Sequence, residues 1–77
     1  MEVKLGDRIY IQKYAVISSE EEYDYHCSVV YQIKNENGKE YIYSKYENNG
    51  LSFKMLKDDI YTINGRYYIN MSSYRPA

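Results

Sequence analysis

The sequence predicts an all-β fold, a single small antiparallel meander of five to six short strands that curls towards a partly open barrel. Three Asn-Gly dipeptides separate alternating apolar and polar runs: Asn37-Gly38, Asn49-Gly50 and Asn64-Gly65. Asn-Gly favours the type I′ hairpin turn because both central residues need positive φ. The spacings of twelve and fifteen residues between these turns fit short strands. With 77 residues, the chain is expected to form one β-domain over residues 1–77.

The first predicted strand is long and bent. Its inward positions share one parity: Val3, Leu5, Ile9 and Ile11. Gly6-Asp7 is predicted to be a bend or bulge between its two halves. The run from Lys4 to Ile9 is similar to the opening of many SH3-like and PilZ-associated barrels, where a glycine and an acid precede the first long strand. This resemblance covers six residues and implies an SH3-like barrel. Separately, closing the first strand onto the last would remove exposed edges, the usual reason why small β-domains become barrels.

The most acidic segment follows that strand. Its carboxylates are Glu20, Glu21, Glu22 and Asp24. Ser19 followed by Glu22 fits a capping box, which favours a short helical turn within residues 18–24. An acidic surface loop is the alternative interpretation.

The three Asn-Gly turns fix which residues face each other, because a two-residue turn sets the register of its hairpin. The first turn pairs Ile33 with Ile42, Tyr31 with Ser44, Val29 with Tyr46, Lys34 with Tyr41 and Gln32 with Tyr43. The second pairs Phe53 with Tyr46 and Met55 with Ser44. The third pairs Ile60 with Ile69, Thr62 with Tyr67, Tyr61 with Tyr68 and Ile63 with Arg66.

Combining these registers gives a predicted core on one face of the sheet. It comprises Val3, Leu5, Ile9, Ile11, Val29, Tyr31, Ile33, Ile42, Tyr46, Phe53, Met55, Ile60, Ile69 and Met71. Residues 71–77, which contain the only proline, are predicted to form a short flexible tail.

Composition excludes several classes of function. Ten basic and eleven acidic residues nearly cancel, which disfavours a duplex nucleic-acid binder. One cysteine and one histidine supply neither a disulfide nor a closed zinc site, and we expect no metal and no cofactor. No apolar run approaches the ~18 residues of a membrane span, and no apolar signal core follows the N-terminus. The sequence therefore predicts a cytoplasmic protein with no membrane partner.

The sequence also lacks the residue combinations that common catalytic sites require. His26 and Cys27 are neighbours on a predicted strand, so their side chains are expected to point to opposite faces. A serine nucleophile would have only His26 as its base, and the acids cluster in predicted loops. The sequence therefore predicts a protein that is not an enzyme.

Tyrosine is the unusual residue type, with twelve copies against one phenylalanine and no tryptophan. Codon bias of an AT-rich bacterial or phage genome is one explanation, and selection of a binding face is the other. The registers point six rings away from the core: Tyr10, Tyr14, Tyr41, Tyr43, Tyr61 and Tyr68. Binding surfaces are enriched in tyrosine because the ring gives contact area with few rotatable bonds.

The leading functional hypothesis is a small protein-binding module, an inhibitor or adaptor of the type encoded by phages and mobile elements. The outward tyrosines and the acidic residues Glu20, Glu21, Glu22 and Asp24 would contact a host or cognate protein. One alternative is a small barrel that binds single-stranded nucleic acid, with charge from Lys13, Lys34, Lys45, Lys54 and Arg66. Others are a homodimer or larger oligomer that sequesters a small ligand between tyrosines, and a scaffold domain of a larger regulator.

Overall fold

The computed structural model describes residues 2–12, 25–47 and 50–77. Within them, seven strands form one sheet: β1 (Arg8–Gln12), β2 (Tyr25–Glu36), β3 (Lys39–Tyr46), β4 (Ser52–Leu56), β5 (Tyr61–Ile63), β6 (Arg66–Asn70) and β7 (Tyr74–Pro76). Single 3-10 turns at Lys57–Asp59 and Met71–Ser73 precede β5 and β7. The prediction of an all-β fold is confirmed. The proposed helical turn within residues 18–24 lies outside the described residues.

The sheet is a meander only in part. Strands β1 to β4 pair with their sequence neighbours in antiparallel fashion, but β6 runs parallel to β1, and the strand order is β5-β6-β1-β2-β3-β4-β7. The sheet is mixed and is not closed into a barrel. The first strand does lie beside the last strand that the sequence predicts, because β1 pairs with β6, but β4 pairs with β7 and not with β5, which leaves the sheet open. An extra parallel neighbour for β1 requires a return connection, which the hairpin signals do not encode.

Connection lengths nevertheless require the sheet to be strongly curled. Strands β6 and β7 lie five strand spacings apart in the sheet order, yet only residues 71–73 join them. Five spacings in a flat sheet would span about 24 Å. The four residue steps from Asn70 to Tyr74 reach at most about 14 Å. The curl brings the two ends of the sheet together over one core.

Two of the three Asn-Gly turns have the predicted backbone conformation. Asn37 and Gly38 have φ of 54° and 80°, and Asn64 and Gly65 have φ of 50° and 78°, as type I′ turns require. The third hairpin pairs Tyr61 with Tyr68, Thr62 with Tyr67 and Ile63 with Arg66, as predicted. Near its turn the first hairpin also pairs Ile33 with Ile42, Lys34 with Tyr41 and Gln32 with Tyr43.

The middle hairpin differs from the predicted register by two residues. Phe53 pairs with Ser44, and Met55 pairs with Ile42. A shift of two keeps every side chain on its predicted face. The predicted register would have placed Lys45 opposite Lys54, a destabilising like-charge pair, whereas the observed register places Lys54 opposite Tyr43.

A β-bulge in β2 overturns two core predictions. The register with β3 shifts between Val30 and Gln32, so Tyr31 is an extra residue. One extra residue exchanges the two faces of the strand beyond it. Val30 is therefore buried, at 2% exposure, beside Ser28, while Tyr31 is 38% exposed and Val29 is half-buried on the outer side.

The buried core otherwise resembles the prediction. It comprises Val3, Ile9, Ile11, Val30, Ile42, Phe53, Met55, Ile60 and Ile69, with Ile33 and Tyr46 packed against it. Leu5 is 65% exposed and leaves the predicted core, because Gly6 has φ of 88° and the resulting turn ends the alternation. Nothing is described of the Met71 side chain.

The C-terminal residues belong to the sheet, which corrects the prediction of a tail over residues 71–77. Strand β7 pairs with β4, Tyr74 opposite Met55 and Arg75 opposite Lys54. The Tyr74 ring packs edge-on against Phe53, with centroids 4.7 Å apart. Its hydroxyl shares a 3.2 Å hydrogen bond with the hydroxyl of Tyr46. This aromatic group anchors β7 to the core.

Candidate functional site

Strand alternation places a group of tyrosines on the outer face of the curled sheet, opposite the buried core. Five of the predicted site residues are on it, all half-buried: Tyr10, Tyr41, Tyr43, Tyr61 and Tyr68. The other predicted site residues, Tyr14, Glu20, Glu21, Glu22 and Asp24, lie outside the described residues. These five tyrosines fall into two groups, one at each side of the sheet.

The first group is a tyrosine row across β1, β6 and β5. The centroids of Tyr10 and Tyr68 are 5.6 Å apart with the rings tilted by 34°, and those of Tyr68 and Tyr61 are 5.8 Å apart and stacked. The guanidinium of Arg66 lies 5.5 Å from the Tyr10 centroid. These cross-strand contacts hold each ring against its neighbour.

The second group, which we call the lysine–tyrosine cluster, spans β2, β3 and β4. It contains Tyr31, Tyr41, Tyr43, Lys34, Lys45 and Lys54. The Lys54 ammonium lies 4.3 Å from the Tyr41 centroid, and the Lys45 ammonium lies 4.7 Å from that of Tyr31. Lys34 is 5.5 Å from Tyr43. Each described ring of the cluster thus has a cation within the range of a cation–π interaction.

Tyr31 is the residue of this cluster that the sequence analysis assigned to the core. Its ring meets that of Tyr43 edge-on at 6.3 Å. The bulge that turns it outward involves no glycine and has no visible sequence signal.

Glu36, the last residue of β2, bonds to two members of the lysine–tyrosine cluster. The Tyr43 hydroxyl donates a 2.6 Å hydrogen bond to one carboxylate oxygen, and the Lys54 ammonium donates a 3.1 Å bond to the other. These two contacts, the tyrosine first, lower the pKa of the Glu36 carboxyl. The same contacts raise the pKa of Tyr43 and of Lys54. Glu36 is therefore ionised at neutral pH and fixes the positions of both partners.

The outer face is basic, although the whole chain has a net charge of −1. Alternation places seven basic residues at outward strand positions: Arg8, Lys34, Lys39, Lys45, Lys54, Arg66 and Arg75. Glu36 is the one acidic residue at an outward position of the described strands. Glu47, just after β3, pairs with Arg8 at 3.4 Å. The near-neutral total charge therefore conceals an excess of positive charge at the outward positions of the described strands.

Other chemistry is weakly represented in the described part of the chain. Burial, with a hydrogen bond and charge from Glu47, raises the pKa of the Cys27 thiol to about 11, which suppresses the nucleophilic thiolate. Residues 2–12, 25–47 and 50–77 contain no group of three side chains suited to hold a metal ion. No helix within them is long and apolar enough to cross a membrane.

Comparisons with known proteins identify no relative from which a function could be transferred. No family model, no curated protein and no solved structure matches the chain. The geometry and charge of the outer face are therefore the features that indicate a function.

Proposed function

We propose that this chain is a small, non-enzymatic protein-binding module whose outer sheet face binds an acidic surface of a partner protein. The observation that carries the proposal is the lysine–tyrosine cluster, in which Glu36 holds Tyr43 and Lys54 in place. We infer an inhibitor or adaptor role, in which occupying a partner's surface is the action itself.

Ordering a mobile side chain at an interface costs about 0.5–1.5 kcal/mol. Rings that are already held in place in the free protein avoid most of this cost and therefore favour binding. Tyr43 is held by a 2.6 Å bond, and Tyr41 lies under the Lys54 ammonium. Such rings lose little freedom on association, and tyrosine supplies both apolar area and a hydroxyl.

Charge complementarity indicates the partner's chemistry. The outward basic residues accelerate encounter with an acidic surface and disfavour a basic one. Lys45 is exposed on this face and has its ammonium over the Tyr31 ring. It is therefore a residue whose charge reversal tests the proposal without removing core packing.

Single-stranded nucleic acid is the second candidate, and the alternation of lysines with tyrosines favours it. A base stacked on Tyr41 would displace Lys54, exchanging ~0.5–1 kcal/mol of cation–π interaction for ~1–3 kcal/mol of stacking. That exchange is favourable by itself. Displacing Lys54 would, however, also break its 3.1 Å bond to Glu36, a loss that this exchange does not include, which is why we place protein first.

The experiment compares two charge-reversal variants of the tagged protein, each used to capture partners from cell lysate with and without nuclease treatment. Lys45→Glu reverses a charge on the outer face, and Lys4→Glu makes the same change on an exposed residue before β1. We expect one protein to be retained by the wild type and Lys4→Glu, and its affinity for purified Lys45→Glu to fall about tenfold or more.

Equal affinity of both variants for that protein would contradict the proposal. Retention that disappears with nuclease, together with direct binding of an oligonucleotide that is steeply weakened by salt, would instead establish the nucleic-acid candidate.

A further inference from the structure

A polar cleft lies where β7 packs beside β4, between the two 3-10 turns. Its volume is about 580 Å³, within the range of small-molecule sites. Six of its lining residues carry polar groups that could contact a ligand: Tyr41, Lys54, Asp59, Ser72, Ser73 and Arg75. Met55, Leu56 and Pro76 supply apolar lining.

Two cations lie side by side in the wall of this cleft. Arg75 and Lys54 are directly opposite partners in the β4–β7 ladder. Like charges in that position destabilise a sheet unless an anion compensates them. Glu36 compensates Lys54 at 3.1 Å, whereas Arg75 has no carboxylate within 4.0 Å in the described part of the chain. An anion beside Arg75 would remove the imbalance.

The shape of guanidinium narrows the class of anion. Arginine presents paired N–H donors that fit a phosphate or carboxylate, and hydroxyl donors can satisfy the remaining oxygens of a phosphate. Ser72 and Ser73 place two hydroxyls in the same cleft. Neither hydroxyl has a hydrogen-bond partner among residues 2–12, 25–47 and 50–77. Phosphate uses more donors than carboxylate does, and this cleft supplies them.

Asp59 places a second requirement on the chemistry of the ligand. It lies on the Lys57–Asp59 turn and lines the cleft with Arg75, yet it is not within ion-pair distance of Arg75. A carboxylate disfavours a second anionic group and accepts hydrogen bonds from hydroxyls, as acidic residues do with ribose. A ligand that suits both the Arg75 end and the Asp59 end of the cleft has one phosphate group and a second part that carries hydroxyl groups.

We propose that this cleft binds a small phosphorylated molecule of the mononucleotide or sugar-phosphate class. Its phosphate lies against Arg75 with donors from Ser72 and Ser73, and its hydroxyls donate to Asp59. This site uses one edge of the sheet, and it goes beyond the protein-binding proposal because it requires no macromolecular partner.

Calorimetric titration of the purified chain with ribose 5-phosphate, AMP, inorganic phosphate and adenosine tests the site. We expect ribose 5-phosphate and AMP to bind more tightly than inorganic phosphate, and adenosine to bind least. Arg75→Gln should weaken all three phosphates about tenfold or more, because it removes a charge-assisted contact. Arg66→Gln, the same change on β6 away from the cleft, should leave the affinities unchanged.

Asp59→Asn tests the hydroxyl-binding end of the site independently of the phosphate-binding end. We expect it to lower affinity for ribose 5-phosphate while affinity for inorganic phosphate stays equal or rises, because a repelling carboxylate is lost. Circular dichroism checks that each variant is folded, and the Asp59 result stands even if Arg75→Gln unfolds. Absence of saturable binding of either phosphorylated sugar at millimolar concentration, or an equal effect of Arg66→Gln and Arg75→Gln, would overturn the proposal. Neither result bears on Lys45→Glu, so the two proposals can fail separately.

Discussion

The Tyr43 hydroxyl donates a 2.6 Å hydrogen bond to the carboxylate of Glu36, joining the middle of β3 to the end of β2 across the lysine–tyrosine cluster. Lys54, on β4, bonds to the other oxygen of that carboxylate. Three strands are thus linked on the outer face by one ionised group. The link makes the geometry of the cluster depend on the protonation of Glu36.

Removing the Tyr43 hydroxyl should raise the pKa of Glu36. Tyr43 is the largest cause of the lowered pKa of the Glu36 carboxyl, and Lys54 is the second. We expect Tyr43→Phe to shift the carboxyl titration, followed by NMR, towards its ordinary value, while Lys54 keeps part of the depression. Tyr41→Phe is the matched control, since the cation over Tyr41 contacts its ring and not its hydroxyl. An unchanged titration in Tyr43→Phe would refute the assignment.

The lowered pKa of Glu36 also predicts a stability change in acid. A carboxyl whose pKa is lower in the folded than in the unfolded chain stabilises the fold above its ordinary pKa, and this contribution is lost as the pH falls through the folded-state pKa. Glu36→Gln should therefore show a weaker loss of stability below pH 4.5 than the wild type. Urea unfolding at several pH values measures it, and parallel curves would contradict the linkage.

The bulge at Tyr31 predicts which of two adjacent valines supports the fold. Val30 is 2% exposed in the core, whereas Val29 is half-buried on the outer face. We expect Val30→Ala to lower the free energy of unfolding by about 2 kcal/mol, and Val29→Ala by clearly less. Denaturant unfolding of the pair provides the measurement. The reverse order would mean that β2 pairs without the bulge.

The same bulge shows which parts of the fold a sequence encodes locally. Asn64-Gly65 fixes its hairpin through the φ of two residues, so the register follows from the turn alone. Tyr31 leaves no such signature, because any residue can occupy the extra position. The parallel pairing of β6 with β1 is a long-range contact, and no local pattern in either strand selects it.

The candidate site, like the fold, could be predicted from the sequence only where local pattern determines it. The outward orientation of Tyr41 and Tyr43 follows from strand alternation alone, because successive side chains on a strand point to opposite faces. The placement of Lys54 beside them depends on a hairpin register that differs by two residues from the predicted one. The basic face was hidden for a related reason, since net charge averages over both faces and the loops.

Two buried serines should respond with opposite signs to the same substitution. The Ser28 hydroxyl donates a 2.9 Å bond to the carbonyl oxygen of Ile9, whereas the Ser44 hydroxyl is buried without a partner in the described residues. Ser28→Ala should lower the free energy of unfolding by about 1 kcal/mol, since one hydrogen bond is lost. Ser44→Ala should leave it unchanged or raise it by up to about 1 kcal/mol, since an unsatisfied group is removed. Thermal unfolding distinguishes the two, and a clear loss in Ser44→Ala would show that its hydroxyl is satisfied.

Cys27 should be a slow nucleophile in the folded protein. Its pKa rises from 9.0 to about 11, first through burial and then through Glu47. At pH 8 the thiolate fraction should be roughly 100-fold below that of the unfolded chain, so iodoacetamide should alkylate the folded protein correspondingly slowly. Glu47→Gln should accelerate alkylation, because it removes an anion and leaves Arg8 to favour the thiolate. Urea-unfolded protein is the control.

The raised thiol pKa also sets an alkaline limit to stability. Between pH 9 and 11 the unfolded chain loses the Cys27 proton while the folded chain keeps it, so the free energy of unfolding should fall with rising pH. Cys27→Ser should show a shallower alkaline decline than the wild type in urea unfolding. Tyr46, whose pKa burial also raises, should preserve part of that decline in the variant. An identical slope in both proteins, or fast alkylation of the folded chain at pH 8, would mean that the thiol is solvated as an ordinary surface cysteine.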